Sequence, residues 1–390
     1  MSSPPLHQLL QELIRIPSVN PAHSADPAIC GERRMADALA RLFSERGLVT
    51  TRLDDPDPER PAILGRADAP GAVRTLMFEM HLDTVGVEHM TIPPFEGLLR
   101  GSRIYGRGAC DMKGPTAALL YALTPGRIHA LNARGVSLLL VGAPDEECGT
   151  KGAQALAARG VRADDAVILE PTRCRPVVAH KGANWYDLVL RGRSGHGSQP
   201  EAGVSTHEAL SRLLPEILRA HKALQQMHRH SLLGVSSLNI GRISGGHAHN
   251  IIPDHTLIQL DRRVIPSESP VLFEQAVQHI LDELIREGRL ISGTLSRVNQ
   301  TAAFSTAPET SLPQSLLDAI EWVTGVRPAC GGTSWVSDAA PFSTVCGQTL
   351  VFGPGDIAQA HTEDEFIDLA ELETGAEILG RFLDGYGVSP

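Results

Sequence analysis

The stretch Tyr105–Tyr121, YGRGACDMKGPTAALLY, decides how this chain of 390 residues is read. Gly101, Gly106 and Gly108 lead up to Asp111, and Thr116, Ala117, Ala118, Leu119 and Leu120 follow it in the pattern of a small-residue helix. Glycines so clustered mark a backbone that turns sharply or lies close to something. A carboxylate fixed at the mouth of such a turn is placed to hold a cation. Asp111 is read as the carboxylate shared by two metal ions, with the rest of the chain supplying the other ligands or the walls.

Outward from this stretch, four short apolar runs read as buried strands of an α/β sheet with helices between them: TLMFEM (75–80), SLLLVGA (137–143), AVILE (166–170) and TLVFGPG (349–355). Each ends in a polar residue or leads into one: His81, then Asp145 to Glu147, then Glu170, and His361 after a short loop. Ligands of open α/β sheets bind beyond the carboxyl ends of the strands, so four polar clusters point towards one site. Leu6, Leu9, Leu10, Leu13 and Ile14 predict a helix stopped by Pro17, and residues 33–46 predict a second, ended by Gly47. Residues 52–60 read as a solvated loop.

The pattern changes between 180 and 293. WYDLVLRG, VSSLNIGRI and HTLIQLDRRV read as strands, and residues 205–225 and 270–287 as long helices. This order predicts a small α+β unit inserted into the larger domain, dividing the chain into 1–179, 180–293 and 294–390.

Composition narrows the function. Hydrophobic content of 42% and charged content of 21% are those of a globular protein. A net charge of −10 argues against nucleic acid or an anionic membrane as partner. No apolar run reaches the length of a membrane span, and the start lacks the basic-then-apolar order of a signal peptide. Six scattered cysteines without CxxC spacing suggest reduced thiols, hence a cytoplasmic protein.

His81, Asp111, Glu147, Glu170 and His361 are oxygen and nitrogen donors of the kind zinc takes. One ion would be held by His81, Asp111 and Glu170, the other by Asp111, Glu147 and His361, each keeping an open position for water or substrate. Asp83 would accept the second ring N–H of His81 and fix its tautomer. Glu146, beside Glu147, would act as general base. The chain carries no GxSxG elbow, no second zincin histidine after His207-Glu208, and no phosphate loop at 149–153.

Five ordered motifs carry a family resemblance: HLDTV (81–85), GRGACDMKG (106–114), PDEECGTKGA (144–153), LEPT (169–172) and GPGDIAQAHTEDEF (353–366). Nearly the whole chain, from IPSVNP (16–21) onward, resembles the two-metal amidohydrolases that include acetylornithine deacetylase, succinyl-diaminopimelate desuccinylase, aminoacylase and carboxypeptidase G. SDAAPF (337–342) is nearest the acetylornithine deacetylase branch. The resemblance implies a zinc-peptidase-like catalytic domain with a central mixed sheet, and a ferredoxin-like lid that forms a homodimer. It implies two Zn²⁺ per subunit, replaceable by Co²⁺ or Mn²⁺, and a cis peptide at Asp111-Met112. It assigns the five ligands as above, Asp83 as orienting acid and Glu146 as general acid and base. By the same resemblance His196 stabilises the oxyanion across the dimer interface, Asn250 lies near substrate, and Arg263 grips a substrate carboxylate. Gly332 and Thr333 match a substrate-binding GGTS segment, although Trp335 stands where the desuccinylases carry aspartate. Asp338 is read as either structural or lining the pocket, and His247 and His249 take no role.

These readings lead to hydrolysis of the amide of an N-acyl amino acid, acetylornithine-like substrates first. Glu170 supports a deacylase or carboxypeptidase, since aminopeptidases of the family carry aspartate there. A carboxypeptidase or dipeptidase on the same metals is the alternative, and a non-catalytic binding homologue the rival from another class.

Overall fold

A computed structural model describes residues 5–54 and 57–387 of the chain. The chain divides into two compact units, one made of 1–178, 305–331 and 337–390, the other of 179–304 and 332–336.

The first unit is built on a mixed sheet. Its four central strands, Arg74–His81, Val136–Ala143, Asp165–Ile168 and Gln348–Val351, run parallel. Ala62–Ala67 pairs antiparallel with the strand at 136–143, and Val49–Leu53 pairs antiparallel with Ala62–Ala67. The expected 52–60 loop therefore begins later, because Arg52 and Leu53 still pair with Ile63 and Ala62. Every residue of Val136–Ala143 is buried, as a strand covered on both faces requires. One cover is the helix Lys113–Ala122, whose Ala117, Ala118, Leu119 and Leu120 are buried as the small-residue pattern predicts. The other faces come from Leu6–Ile14, Arg33–Glu45, Ser311–Thr324 and Leu369–Gly385. Phe78 on the central strand meets Phe382 edge-to-face at 6.3 Å. A small antiparallel sheet of Leu98–Arg100, Arg103–Tyr105 and Phe366–Asp368 joins the segment before Asp111 to the segment after His361.

In the second unit, four antiparallel strands lie in the order Ser237–Gly245, His255–Val264, Gly182–Arg191, Ser292–Thr301. With the helices Thr206–Met227 and Pro270–Arg286 they form the strand-helix-strand-strand-helix-strand order of a ferredoxin-like unit. His255–Val264 alternates strictly between partly exposed and buried residues. Its buried face joins Tyr186, Leu188 and Leu190 in a core with Leu213, Ile217, Phe273, Val277 and Leu281 from the two helices. The strand at 292–301 extends this unit beyond residue 293. Among the described residues no helix is long and apolar enough to cross a membrane.

Phe78 is fully buried against Phe382, so Phe78→Ala should cost about 3–5 kcal/mol of stability. Urea unfolding would measure it, and a loss below about 1 kcal/mol would contradict this account of the core.

Candidate metal centre

The strand ends deliver the site. His81 is the last residue of Arg74–His81, Glu146 and Glu147 follow Val136–Ala143, and Glu170 follows Asp165–Ile168. His361 lies in the loop after Gln348–Val351 with φ +63, in the left-handed region. Asp111 sits at the turn before Lys113–Ala122, and the Asp111-Met112 peptide is cis. A Cβ on Gly106, whose φ is +151, would lie 2.6 Å from Ile14 Cγ2 and 3.0 Å from the Pro94 oxygen, so this approach needs glycine.

The two oxygens of Asp111 face two different histidines. Oδ1 lies 3.1 Å from His81 Nε2, which is also 3.9 Å from Glu170 Oε1. Oδ2 lies 3.4 Å from His361 Nε2, which is 3.1 Å from Glu147 Oε2. Ligand atoms of His81, Asp111 and Glu147 also lie within 4.8 Å of one another. Two donors bound to one zinc at about 2.0–2.1 Å in tetrahedral geometry stand about 3.3 Å apart.

The donor chemistry fits a cation. His81 Nδ1 lies 2.9 Å from the main-chain oxygen of Asp83, which can only accept, so that nitrogen carries the hydrogen. A neutral His81 then aims the lone pair of Nε2 at two carboxylates. Only a proton or a cation relieves that arrangement. Glu147 Oε1 is buried without a hydrogen-bond partner, a cost that coordination removes.

The same geometry sets the proton affinities. Burial opposes the His81 imidazolium, but its hydrogen bond to Asp111 and the charges of Glu170 and Asp111 outweigh burial and raise its pKa well above the ordinary value. Hydrogen bonds to Asp111 and Glu147 raise His361 to about 10. Burial raises Asp111, but hydrogen bonds from His361 and His81 pull it below the usual carboxylate range. Burial pushes Glu146, Glu147 and Glu170 up, and the charge of Asp111 adds to each.

One expectation is corrected. The partner of the His81 ring N–H is the main-chain oxygen of Asp83, whose side-chain Oδ1 is farther away at 3.7 Å. The Asp83 carboxylate is engaged elsewhere: it accepts from the main-chain N–H groups of Glu146 and Glu147, at 3.1 Å each, and from Asn20. It shapes the turn that carries Glu146 and Glu147 rather than the histidine tautomer.

Two further acids, Glu365 and Asp338, are buried in this unit. The buried Glu365 accepts from the main-chain N–H groups of Gly108, Cys110 and Asp111 and from Arg107, at 2.8–3.0 Å. It thereby fastens the Asp111 turn to the His361 segment. Its only signal in sequence is its place in the quoted 353–366 motif. Asp338 is 1% exposed and so does not line an open pocket; it lies beside the buried Glu79, and burial holds it up to about 7.

The residues assigned to substrate lie in the second unit. His196 and Asn250 are brought together there, with the Gly197 N–H donating to the Asn250 oxygen at 2.8 Å and His196 bridging to Ile251. Arg263 is paired with Asp261 at 3.0 Å. Gly332 packs against Leu232 and Leu233, and the Thr333 oxygen accepts from the Lys181 N–H at 3.0 Å.

Histidines and carboxylates gathered at the strand ends of a mixed α/β sheet make a site suited to metal ions and to metal-assisted hydrolysis. The chain belongs to peptidase family M20/M25/M40, whose pattern it matches over residues 77–385. It is 28% identical over 397 residues to the acetylornithine deacetylase of Yersinia pestis, covering 99% of this chain and 98% of that protein. It is 31% identical over 320 residues to the N-acetyl-L-citrulline deacetylase of Xanthomonas campestris, covering 79% and 81%. Its fold is that of the M20 family metallo-carboxypeptidase Sso-CP2 from Sulfolobus solfataricus, with a TM-score of 0.76, 17% identity, and 99% and 100% of the two chains covered.

The raised groups fix a pH dependence. A group whose folded pKa is raised favours folding below its ordinary value and loses that contribution as pH climbs through the folded value. For the glutamates and histidines here the loss starts near their ordinary values of 4.5 and 6.5 and continues to about 10 for His361. Asp111 has the opposite sign, but its contribution is lost only as pH falls below its ordinary 3.8. Metal-free protein should therefore melt lower at pH 8.5 than at pH 5.5. Added Zn²⁺ should raise the melting temperature more at pH 8.5, by at least about 1–2 °C, the effect of about 1 kcal/mol on a chain of this size. Calorimetry showing an equal or smaller zinc effect at pH 8.5 would contradict the assignment.

Proposed function

We propose that the chain is a dinuclear zinc amidohydrolase that removes the acyl group from an N-acyl amino acid, with N-acetylated, ornithine-like substrates the first choice. The observation that carries this reading is the division of Asp111 between two histidine-carboxylate pairs. His81, Asp111 and Glu170 would hold one cation, and Asp111, Glu147 and His361 the other. When bound, such cations polarise the amide carbonyl and lower the pKa of water from about 15.7 towards about 7. Both relatives above are named for deacetylation of N-acetyl amino acids.

Glu146 takes the proton from the attacking water and returns it to the leaving nitrogen. Its buried position raises its pKa towards the working range of a general base. His196 of the partner subunit donates to the tetrahedral oxyanion. The Ser198 N–H donates to His196 Nδ1 at 3.1 Å, so in the neutral ring Nε2 carries the hydrogen, as an oxyanion donor requires. Arg263 exchanges Asp261 for the substrate carboxylate, a task suited to its fork of donors. Asn250, Gly332 and Thr333 line the substrate, and the homodimer forms through the second unit. All six thiols are unpaired, which fits a reducing cytoplasm.

Glu146→Ala should lower kcat by about 10²–10⁴ while leaving two zinc ions bound per chain. Retained turnover in a zinc-loaded variant would overturn the role of Glu146. A panel of N-acetyl and N-succinyl amino acids and dipeptides decides the substrate class. The reading expects N-acetyl amino acids to give the highest kcat/KM, and dipeptides in first place would favour a peptidase.

A further inference from the structure

Asn20 takes no part in the chemistry described so far, yet it joins the supports of the general-base turn. It is fully buried. Its main chain is tied to the His81 segment: Asn20 N–H donates to the Thr84 oxygen at 2.9 Å, and Thr84 N–H donates to Ser18 at 3.0 Å. Its Nδ2 donates to Asp83 Oδ2 at 2.7 Å and to Asp145 Oδ1 at 2.9 Å, one hydrogen to each carboxylate. Oδ1 accepts from the Ala22 N–H at 3.0 Å, which fixes the orientation of the amide.

Each of those two carboxylates controls one approach to the turn. Asp83 receives the main-chain N–H groups of Glu146 and Glu147. Asp145 immediately precedes Glu146 and has φ +66, a left-handed backbone that a non-glycine residue keeps only where its surroundings hold it. Arg60 and Glu32 hold Asp145 from the outside: Arg60 pairs with both acids, and Glu32 accepts the Asp145 N–H at 3.2 Å. From the side of the metal centre the only direct link between Asp83 and Asp145 among these bonds is the carboxamide of Asn20.

We propose that Asn20 is a positioning residue for hydrolysis, its single NH₂ group tying Asp83 to Asp145 and so setting where the Glu146 carboxylate stands. This rests on Glu146 being the general base. Without Nδ2, Asp83 Oδ2 and Asp145 Oδ1 lose the donor they share, which leaves Asp83 to main-chain N–H groups and Asp145 to Arg60 on the outside. The repulsion between the two carboxylates is relieved by moving the turn that both of them hold. A displacement of about 1 Å at a catalytic group costs about 100-fold in rate. Substrate contacts are made by other residues, so binding is affected less than turnover.

The test uses the full chain loaded with zinc for kinetics and with cobalt for spectroscopy, comparing wild type, Asn20→Ala and Glu146→Gln on the N-acyl amino acid hydrolysed fastest. Asn20→Ala should lower kcat ten- to hundred-fold with KM within threefold and zinc content unchanged. It should also alter the visible Co²⁺ spectrum, because Glu147 lies on the same turn. An unchanged kcat and an unchanged cobalt spectrum, with only a lower melting temperature, would overturn the proposal by making Asn20 purely structural. Should Asn20→Ala not fold, Asn20→Ser keeps one donor; an intermediate kcat is expected, and wild-type kcat would overturn the proposal. Full activity in Glu146→Gln would instead remove the general-base reading, whereas an inactive Glu146→Gln beside a normal Asn20→Ala would remove the positioning role alone.

Discussion

Burying several carboxylates in one place is the constraint that the rest of the first unit answers. An ionised carboxyl taken out of water is costly unless it is paired or bonded. The structure meets this in two layers. The outer acids are bonded to fixed donors: Glu32 and Asp145 to Arg60, Glu365 to Arg107 and three main-chain N–H groups, and Asp83 to Asn20 and two more. The inner acids Asp111, Glu147 and Glu170 face histidine nitrogens instead. The outer layer holds a shape; the inner layer is stabilised when positive charge enters between its oxygens and the imidazoles. Affinity for protons and affinity for metal are thus two expressions of one arrangement.

The sheet makes that arrangement precise. Each of the proposed ligands enters from a different strand end or crossover, so its position is fixed by long-range packing rather than by one flexible loop. The loops are then cross-fastened: Glu365 couples the Asp111 turn to the His361 segment, and the main-chain oxygen of Asp83 orients His81 while its side chain orients Glu146 and Glu147. Asp83, two positions from His81, serves its neighbours with two different groups. That economy explains why acids outnumber the proposed ligands around the centre.

The placement of His81 and Glu170 at strand ends was legible in the sequence, because a buried apolar run that leads into a histidine or glutamate is a local pattern with a topological meaning. The same holds for His255–Val264, whose alternation is readable residue by residue and is matched by burial. Other features left no such pattern. The helix Pro125–Ala133 buries only Ile128 and Leu131 and carries no apolar stripe, and Lys151–Ala158 is a short alanine-rich helix. The spacing of His81 and Asp83 suggests a side-chain contact, and no sequence pattern separates that from the main-chain contact that forms. Asn20 and Glu365 are single polar residues whose side-chain partners across the fold lie 63 to 258 positions away, a relation that only the fold creates.

The most direct test of the central claim, that Asp111 is shared by two cations, is anomalous diffraction at the zinc edge from crystals of the zinc-loaded protein. The account predicts two peaks about 3.5–4 Å apart, one beside His81 and Glu170 and one beside His361 and Glu147, with an Asp111 oxygen on each. A single peak, or zinc bound away from Asp111, would contradict it.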